Sequence, residues 1–121
     1  MSQVHGTKYE QREIVLVPFP YSDLSITKKR PVLIISNNHY NSKFEDIVVC
    51  VITSKIFQDE YSILLKNENL EFGILPEDSC IKVHKLFSIH QTKIIKKFSR
   101  LDEETFQIVT AKINELIRNK M

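Results

Sequence analysis

Two residues of this chain have side chains suited to binding a phosphate, and each lies at the end of an apolar run. Arg30 stands before Pro31 at the start of one run, and Thr53 closes another. A guanidinium remains charged at ordinary pH, and its planar fork grips two oxygens of one phosphate. A threonine hydroxyl donates a further hydrogen bond to the same group. If the two runs pair as neighbouring strands, these side chains predict a phosphodiester site at one edge of a sheet.

Short strands must position both groups. The apolar runs Ile14 to Val17, Val32 to Ile35 and Ile47 to Ile52 are rich in β-branched residues, which is typical of buried strands. Pro31 forces the residue before it into an extended conformation. We therefore expect Arg30 to be fixed at the entrance of a strand.

Further strands are predicted at Tyr61 to Leu65, Ser79 to Ser88 and Ile95 to Arg100. Asn37 to Asp46 and Lys66 to Asp78 are interpreted as connectors, the second of them acidic. Six short strands with no helix between them predict a mainly β fold, either a small antiparallel barrel or a strongly bent sheet.

The last segment has a helical period. Asp102 is a good N-cap, and Phe106, Val109 and Ile113 fall on one stripe, so a helix is predicted over residues 102–119. A single helical turn is expected within His90 to Ile94. Residues 13–121 are predicted to form one domain, and residues 1–12 a polar lead-in that is poorly ordered up to the first strand.

Three features of the sequence occur together: the first strand with its P-F-P loop, the motif R-P-V-L-I-I-S from Arg30 and the motif V-V-C-V-I-T-S from Val48. In this combination they resemble the MazF/PemK family of toxin endoribonucleases from toxin–antitoxin pairs. A looser similarity continues through Ser79 to Leu101. The resemblance implies an SH3-like, CcdB-like barrel, a homodimer, a cognate antitoxin protein and sequence-selective cleavage of single-stranded RNA. The chain departs from the family at Arg12-Glu13, where relatives commonly show Gly-Asp, and we expect this to affect folding of the first strand more than catalysis.

Metal-independent cleavage of RNA by its own 2′-hydroxyl needs a proton acceptor, stabilisation of charge on the phosphate, and a proton for the leaving oxygen. Arg30 and Thr53 match the family's active-site Arg and Thr, which assigns them the second task. Some relatives use an Arg-x-Asp pair where this chain has Lys82-Val83-His84, and others a Glu or His where it has Ser25. His84 is the remaining candidate for proton transfer because imidazole titrates near neutrality. A single strand histidine is otherwise more often structural or exposed to solvent.

The loop ahead of Arg30 has residues suited to unpaired RNA. An aromatic ring at Tyr21 can stack on a base, and the lysines at 28 and 29 can contact phosphates. Packing of Tyr21 at the end of a strand is the alternative. The loop has no glycine, which excludes a P-loop. The full set of predicted RNA-binding residues is Tyr21, Lys28, Lys29, Ser54, Lys82 and Lys85.

The charge distribution agrees with a phosphate-bearing partner. The net charge is only +2, but Ser79 to Leu101 holds six Lys/Arg, two His and no acidic residue, while Asp59 to Asp78 holds six acidic residues. Such asymmetry is typical of an electrostatic footprint for nucleic acid. A solvated charged face would give the same pattern.

Several classes of protein are excluded. Cys50 and Cys80 lie in apolar segments without C-x-x-C or His-rich spacing, so a core role is predicted and neither a disulfide framework, a zinc site nor any cofactor is expected. No segment reaches the ~18 apolar residues of a membrane span, and the N-terminus lacks a signal-peptide core. We expect a cytoplasmic protein.

Two other functions stay open. A toxin of the same fold that binds a protein target, as CcdB acts on gyrase, would depend on the exposed face of the C-terminal helix and not on Arg30 and Thr53. A homologue with weakened catalysis that binds only RNA or antitoxin is the other possibility. It would explain why the segment Lys82-Val83-His84 lacks the Asp of the Arg-x-Asp pair that some relatives use.

Overall fold

The computed structural model describes residues 9–18, 28–56 and 58–120. Within them, the chain forms seven strands and two α-helices. They are β1 (Glu13–Pro18), β2 (Lys29–Ile34), α1 (Asn38–Lys43), β3 (Asp46–Thr53), β4 (Ser62–Leu65), β5 (Leu70–Phe72), β6 (Ser79–His90), β7 (Lys96–Leu101) and α2 (Glu103–Ile117), with 3-10 turns at Asn67–Asn69 and Gln91–Lys93.

All seven strands form one antiparallel sheet in the order β4-β6-β3-β2-β1-β7-β5. Its two edge strands, β4 and β5, are consecutive in the chain and are joined only through the turn at Asn67–Asn69. Because so short a connection brings the two edges together, the sheet must curl on itself. The predicted mainly β fold, a small antiparallel barrel with a C-terminal helix, is confirmed.

Both faces of the curled sheet carry apolar side chains, which explains why the central strands read as continuous apolar runs. Successive residues of β1, β2 and β3 alternate between two cores. The helix-side core consists of Ile14, Leu33, Cys50, Ile52, Leu65, Leu75, Ile81, Val83, Leu101, Phe106 and Val109. The opposite core consists of Tyr9, Val15, Val17, Val32, Ile34, Ile47, Val49 and Ile94.

One connection crosses the sheet. Strands β3 and β4 both pair antiparallel with β6, one on each side of it. They therefore run parallel to each other, and the chain from residue 54 to 61 must pass from one side of β6 to the other before β4 begins. We call residues 54–61 the crossover.

The helix α2 lies within the range predicted from the sequence. The carboxylate of Asp102 caps it by accepting a hydrogen bond of 2.8 Å from the Thr105 amide. Phe106 and Val109 are buried in the helix-side core. The helix thereby covers one face of the sheet.

Two predicted connectors contain regular structure. The prediction of six strands is wrong because Leu70–Phe72 pairs with β7, opposite Arg100 and Leu101, as the edge strand β5. The segment predicted as a connector at 37–46 contains α1, which begins because the Asn37 side chain accepts a hydrogen bond from the Tyr40 amide.

The end of the predicted lead-in is part of the fold. Tyr9 is buried in the opposite core, and the Gln11 side chain donates to the Ile35 carbonyl at 2.8 Å. The expectation that the chain is poorly ordered up to Glu13 is therefore wrong for residues 9–12. Residues 1–8 lie outside the described part.

Arg12 has a positive φ of 79°, a conformation that strongly favours glycine. This is the position at which the resemblance led us to expect Gly. The Arg12 guanidinium donates to the Leu101 carbonyl and to Glu71, both at 2.8 Å. These contacts offset the strain of a left-handed non-glycine residue.

Both cysteines are buried, as expected for residues that fill a core. Burial raises the pKa of the Cys50 thiol far above its usual value, because the thiolate would lose its hydration. Cys50 therefore remains a neutral thiol. Among the described residues, no helix is long and apolar enough to cross a membrane.

Candidate functional site

The pairing of β2 with β3 aligns Arg30 and Thr53. Val32 lies directly opposite Val51. Residues two apart in a strand project to the same face, and directly paired residues share a face. Extending the Val32–Val51 register by two residues sets Arg30 opposite Thr53, with both side chains on the face of the opposite core and at the same end of the sheet.

Arg30 lies on β2 and not on a loop. It pairs with Val17 of β1 in the antiparallel ladder, and its own side chain is exposed together with those of Lys28 and Lys29. Pro31 holds the backbone of Arg30 extended. Three consecutive cations therefore face solvent where β2 begins.

Thr53 is the last residue of β3 and is half-buried. Its hydroxyl oxygen accepts a hydrogen bond of 3.1 Å from the amide of Lys55. Accepting this bond occupies one lone pair and leaves the O–H proton for another acceptor. The next residue, Ser54, is exposed at the start of the crossover.

A β-bulge in β6 separates the predicted residues Lys82 and His84. The pairing with β3 jumps from Cys50 opposite Leu86 to Val51 opposite Lys82, which leaves residues 83–85 without partners on β3. The regular alternation expected from the sequence is therefore broken at this point. Lys82 is 8% exposed, whereas His84 is exposed, with its ring centroid 6.2 Å from that of Tyr61.

Lys82 faces a carboxylate of the crossover. Its Nζ lies 3.7 Å from Oδ2 of Asp59. The Asp59 side chain also accepts a hydrogen bond of 2.9 Å from the Tyr61 amide. A lysine predicted to contact RNA phosphate is thus buried and directed at an acidic residue of its own chain.

The pKa of Asp59 is lowered by the adjacent Ser62 hydroxyl, by the Tyr61 amide and by the positive charges of Lys82 and His84, while slight burial acts in the other direction. The Ser62 hydroxyl is buried and has no partner at good hydrogen-bond geometry among the described residues. The Tyr61 amide, at 2.9 Å, is the better-formed contact. All of these groups favour the ionised carboxylate.

Much of the basic stretch in β6 and β7 is paired within the chain. Lys97 and Arg100 both reach Glu13, at 2.9 and 3.3 Å, and His90 reaches Glu45 at 2.9 Å. The charge asymmetry of the sequence therefore serves the fold as well as the surface. The basic side chains of this stretch that are exposed are His84, Lys85, Lys93, Lys96 and Lys97.

Among the predicted residues, the register puts Arg30 and Thr53 on one face at the same end of the sheet, and Lys82 shares this face through its pairing with Val51. Lys85 is exposed at the bulge. Tyr21, the predicted base-stacking residue, lies outside the described residues, as does Ser25 in the same loop.

Asp59 and Tyr61 were not singled out from the sequence. The crossover of residues 54–61 carries them to β6, and only the strand order reveals that path. In the described part of the chain, no three His, Cys, Asp or Glu side chains converge as ligands for a metal ion.

Solved structures with the same fold include MazF proteins and other proteins described as endoribonucleases. A MazE–MazF structure from Deinococcus radiodurans aligns with a TM-score of 0.76 at 16% identity, covering 93% of this chain and 97% of the other. The Mycobacterium tuberculosis toxin MazF-mt6 aligns with a TM-score of 0.73 at 15% identity, covering 91% and 100%.

An endoribonuclease in complex with its cognate antitoxin, from a mycobacterial species, aligns with a TM-score of 0.74 at 11% identity, covering 93% of this chain and 99% of the other. At such low identities these likenesses concern the fold. Comparison with curated protein sequences gives no match.

Family membership comes from the sequence pattern as a whole. Residues 10–117 match the family described as PemK-like, MazF-like toxin of type II toxin-antitoxin systems. This span includes every described strand and all of α2. The chain therefore belongs to the PemK-like, MazF-like toxin family.

Proposed function

We propose that this protein is a toxin endoribonuclease that cleaves single-stranded RNA by attack of a 2′-hydroxyl on the neighbouring phosphate, without a metal ion. The observation that supports the proposal is the shared face of Arg30 and Thr53 at one end of the sheet. An exposed guanidinium beside a hydroxyl with a proton to donate suits a phosphodiester.

The chemistry requires stabilisation of negative charge. When the 2′-oxygen bonds to phosphorus and the bond to the 5′-oxygen breaks, charge accumulates on the non-bridging oxygens. The fork of Arg30 binds two of these atoms, and the Thr53 hydroxyl donates to one. Lys28 and Lys29, exposed beside Arg30, bind flanking phosphates of the strand. Which RNA sequence is selected depends on contacts to the bases.

We further propose a cytoplasmic homodimer restrained by a cognate antitoxin protein. The MazE–MazF complex from Deinococcus radiodurans and the mycobacterial complex with an antitoxin have this fold. Large apolar side chains remain exposed on the single chain and suit such interfaces. They include Phe72, Ile74, Ile108 and Ile117.

Substitution of Arg30 tests the nuclease directly. Purified Arg30→Ala and wild type are incubated with a long single-stranded RNA in excess chelator, and the ends of the products are mapped. We expect wild type to cleave and Arg30→Ala to lose at least about 100-fold in rate, the typical cost of removing one charge-stabilising group. Arg118→Ala, which removes an exposed arginine at the end of α2, is the matched control and retains activity. Equal cleavage by Arg30→Ala removes the site assignment.

A protein-binding toxin is the second candidate, and the exposed isoleucines of α2 favour it. Ile108 is 50% and Ile117 73% exposed. This function predicts growth arrest that survives Arg30→Ala but is lost in Ile117→Asp or Lys112→Glu. A protein that binds RNA and leaves it intact is instead a homologue with weakened catalysis.

A further inference from the structure

The crossover brings a carboxylate to Lys82, a residue on the face of the sheet that holds Arg30 and Thr53. Thr53 ends β3 at the start of the crossover, and Asp59 lies near its end, where it meets Lys82 of β6 at 3.7 Å. Lys82 pairs with Val51, so it shares a face with Thr53, which lies two residues further along β3. Such diagonal neighbours on adjacent strands are about 7–8 Å apart. Lys82 therefore connects the two residues, because it is the ion-pair partner of Asp59 and a neighbour of Thr53 on the same face.

The Asp59 carboxylate is held firmly but remains open to a ligand. One oxygen accepts the Tyr61 amide at 2.9 Å, and the other faces the Lys82 ammonium. The backbone carbonyl of Asp59 accepts the Ser62 amide at 3.3 Å. The side chain is still 46% exposed. A carboxylate fixed by its own loop and still reachable from solvent is suited to act on a bound molecule.

The charged and titratable groups around Asp59 come from three parts of the fold. Lys82 and His84 approach from β6, and Tyr61 lies on the crossover. Lys112 of α2 lies over the Tyr61 ring, 5.9 Å from its centroid. The positive charges of Lys82 and His84 are among the causes that lower the pKa of the Asp59 carboxyl, so the side chain is ionised and can accept a proton when RNA binds.

We propose that Asp59 is the proton acceptor of the RNA-cleaving site, positioned by Lys82, and that His84 is the proton donor. The inference rests on the proposed function and deepens it. The proton of the 2′-hydroxyl passes to the Asp59 carboxylate as the 2′-oxygen bonds to phosphorus. The bond from phosphorus to the 5′-oxygen breaks, and the 5′-oxygen takes a proton from the His84 imidazolium. The products are a 2′,3′-cyclic phosphate and a 5′-hydroxyl.

This assignment supplies the acid that is missing from Lys82-Val83-His84. The carboxylate comes from the neighbouring crossover instead of from β6 itself, and it reaches the same strand because the crossover passes over that strand. Lys82, buried beside it, is a positioning residue whose ammonium orients and stabilises the ionised Asp59.

The test compares Asp59→Asn with Glu60→Gln. Asparagine keeps an oxygen that can accept the Tyr61 amide, but it has no negative charge to accept a proton or to pair with Lys82. Glu60 is the neighbouring exposed acid on the same loop. We expect Asp59→Asn to lower the cleavage rate at least about 100-fold and Glu60→Gln to leave it unchanged. Binding of a 2′-O-methyl RNA, which cannot be cleaved, should be the same in all three proteins, and each should remain folded at the temperature of the assay.

A substrate with a better leaving group distinguishes the two proton-transfer roles. Sulfur in place of the bridging 5′-oxygen leaves as a thiolate and needs no proton from a donor. His84→Gln should therefore slow cleavage of ordinary RNA far more than cleavage of the 5′-sulfur RNA, whereas Asp59→Asn should slow both alike. If His84→Gln slows cleavage of both substrates to the same extent, His84 is not the proton donor and the proposal is overturned.

The remaining outcomes are also decisive. If Asp59→Asn cleaves like wild type, or loses RNA binding in proportion to cleavage, Asp59 is not the proton acceptor while the nuclease assignment stands. If wild-type protein itself leaves the RNA intact, the proposed function fails, and this inference fails with it.

Discussion

Val32 of β2 lies directly opposite Val51 of β3, and this one pairing decides how Arg30 and Thr53 are arranged. Each of the two candidate site residues is two positions from its valine, toward the same end of the sheet. A slip of one residue in this register would turn one side chain to the other face of the sheet. The apolar alternation of both strands between two cores prevents such a slip.

The Thr53 hydroxyl is expected to act as a donor to the phosphate. Thr53→Val keeps the shape and the β-branched side chain but removes the hydroxyl, so we predict a loss of about 100-fold in cleavage rate, the usual cost of one donor of this kind. Thr53→Ser keeps the hydroxyl and should retain most of the activity. Measurement of single-turnover cleavage with both variants checks this. Equal cleavage rates for the Thr53→Val and Thr53→Ser proteins would show that the hydroxyl has no part in the reaction.

Asp59 should also make stability depend on pH in a defined direction. Its pKa in the folded protein lies below the usual 3.8, so the folded state favours the ionised form. The resulting stabilisation is complete above the unfolded value and is lost as the pH falls through the folded value. Wild type should therefore melt at a higher temperature than Asp59→Asn. This difference in melting temperature should be the same at pH 7 and pH 5 and should be smaller at pH 3. A difference that increases on acidification contradicts the lowered pKa.

Glu13 is a buried carboxylate whose charge is compensated by neighbours. It is 1% exposed and lies 2.9 Å from Lys97 and 3.3 Å from Arg100. Glu13→Gln removes this charge-assisted contact from Lys97 and leaves Arg100 with Glu10 and Glu71 alone, so we predict a loss of about 2 kcal/mol in the free energy of unfolding, measured with urea. Glu77→Gln, at an exposed position, is the control and should change it by less than about 0.5 kcal/mol.

Arg12 combines a strained backbone with favourable side-chain contacts. Arg12→Ala loses the bonds to Glu71 and Leu101 and keeps the positive φ of 79°. Arg12→Gly loses the same bonds but relieves the strain, so it should be more stable than Arg12→Ala by about 1 kcal/mol.

The opposite order is expected at an ordinary helical position. Ala111 is exposed on α2, and Ala111→Gly should lower stability by about 1 kcal/mol. Urea unfolding of the three variants and wild type gives both differences. If Gly is less stable than Ala at position 12 as well, the positive φ of Arg12 is not a source of strain.

The sequence contains enough local information for most of the elements. β-branched apolar runs predict the strands, since runs this short and this rich in β-branched residues are typical of buried strands and too short for a buried helix. Asp102, followed by two glutamates and an apolar stripe, predicts the helix, because the cap and the period are properties of neighbouring residues. The strand β5 was missed because Leu70–Phe72 is short and mostly exposed, and only its pairing with β7 makes it a strand.

At the candidate site, the sequence by itself determined the positions of Arg30 and Thr53 within their own strands. Arg30 is extended because Pro31 follows it, and Thr53 ends a strand because the apolar run ends there. Their residue types already indicate binding of a phosphate.

Only the tertiary structure decided what surrounds these two groups. The placement of β4 beyond β6 sends residues 54–61 across the sheet and brings Asp59 to Lys82, and a bulge in β6 separates Lys82 from His84. The burial of Lys82 and the pairing of Glu13 with Lys97 and Arg100 arise in the same way. The order of strands in a sheet depends on contacts between residues distant in the chain, and no local pattern specifies them.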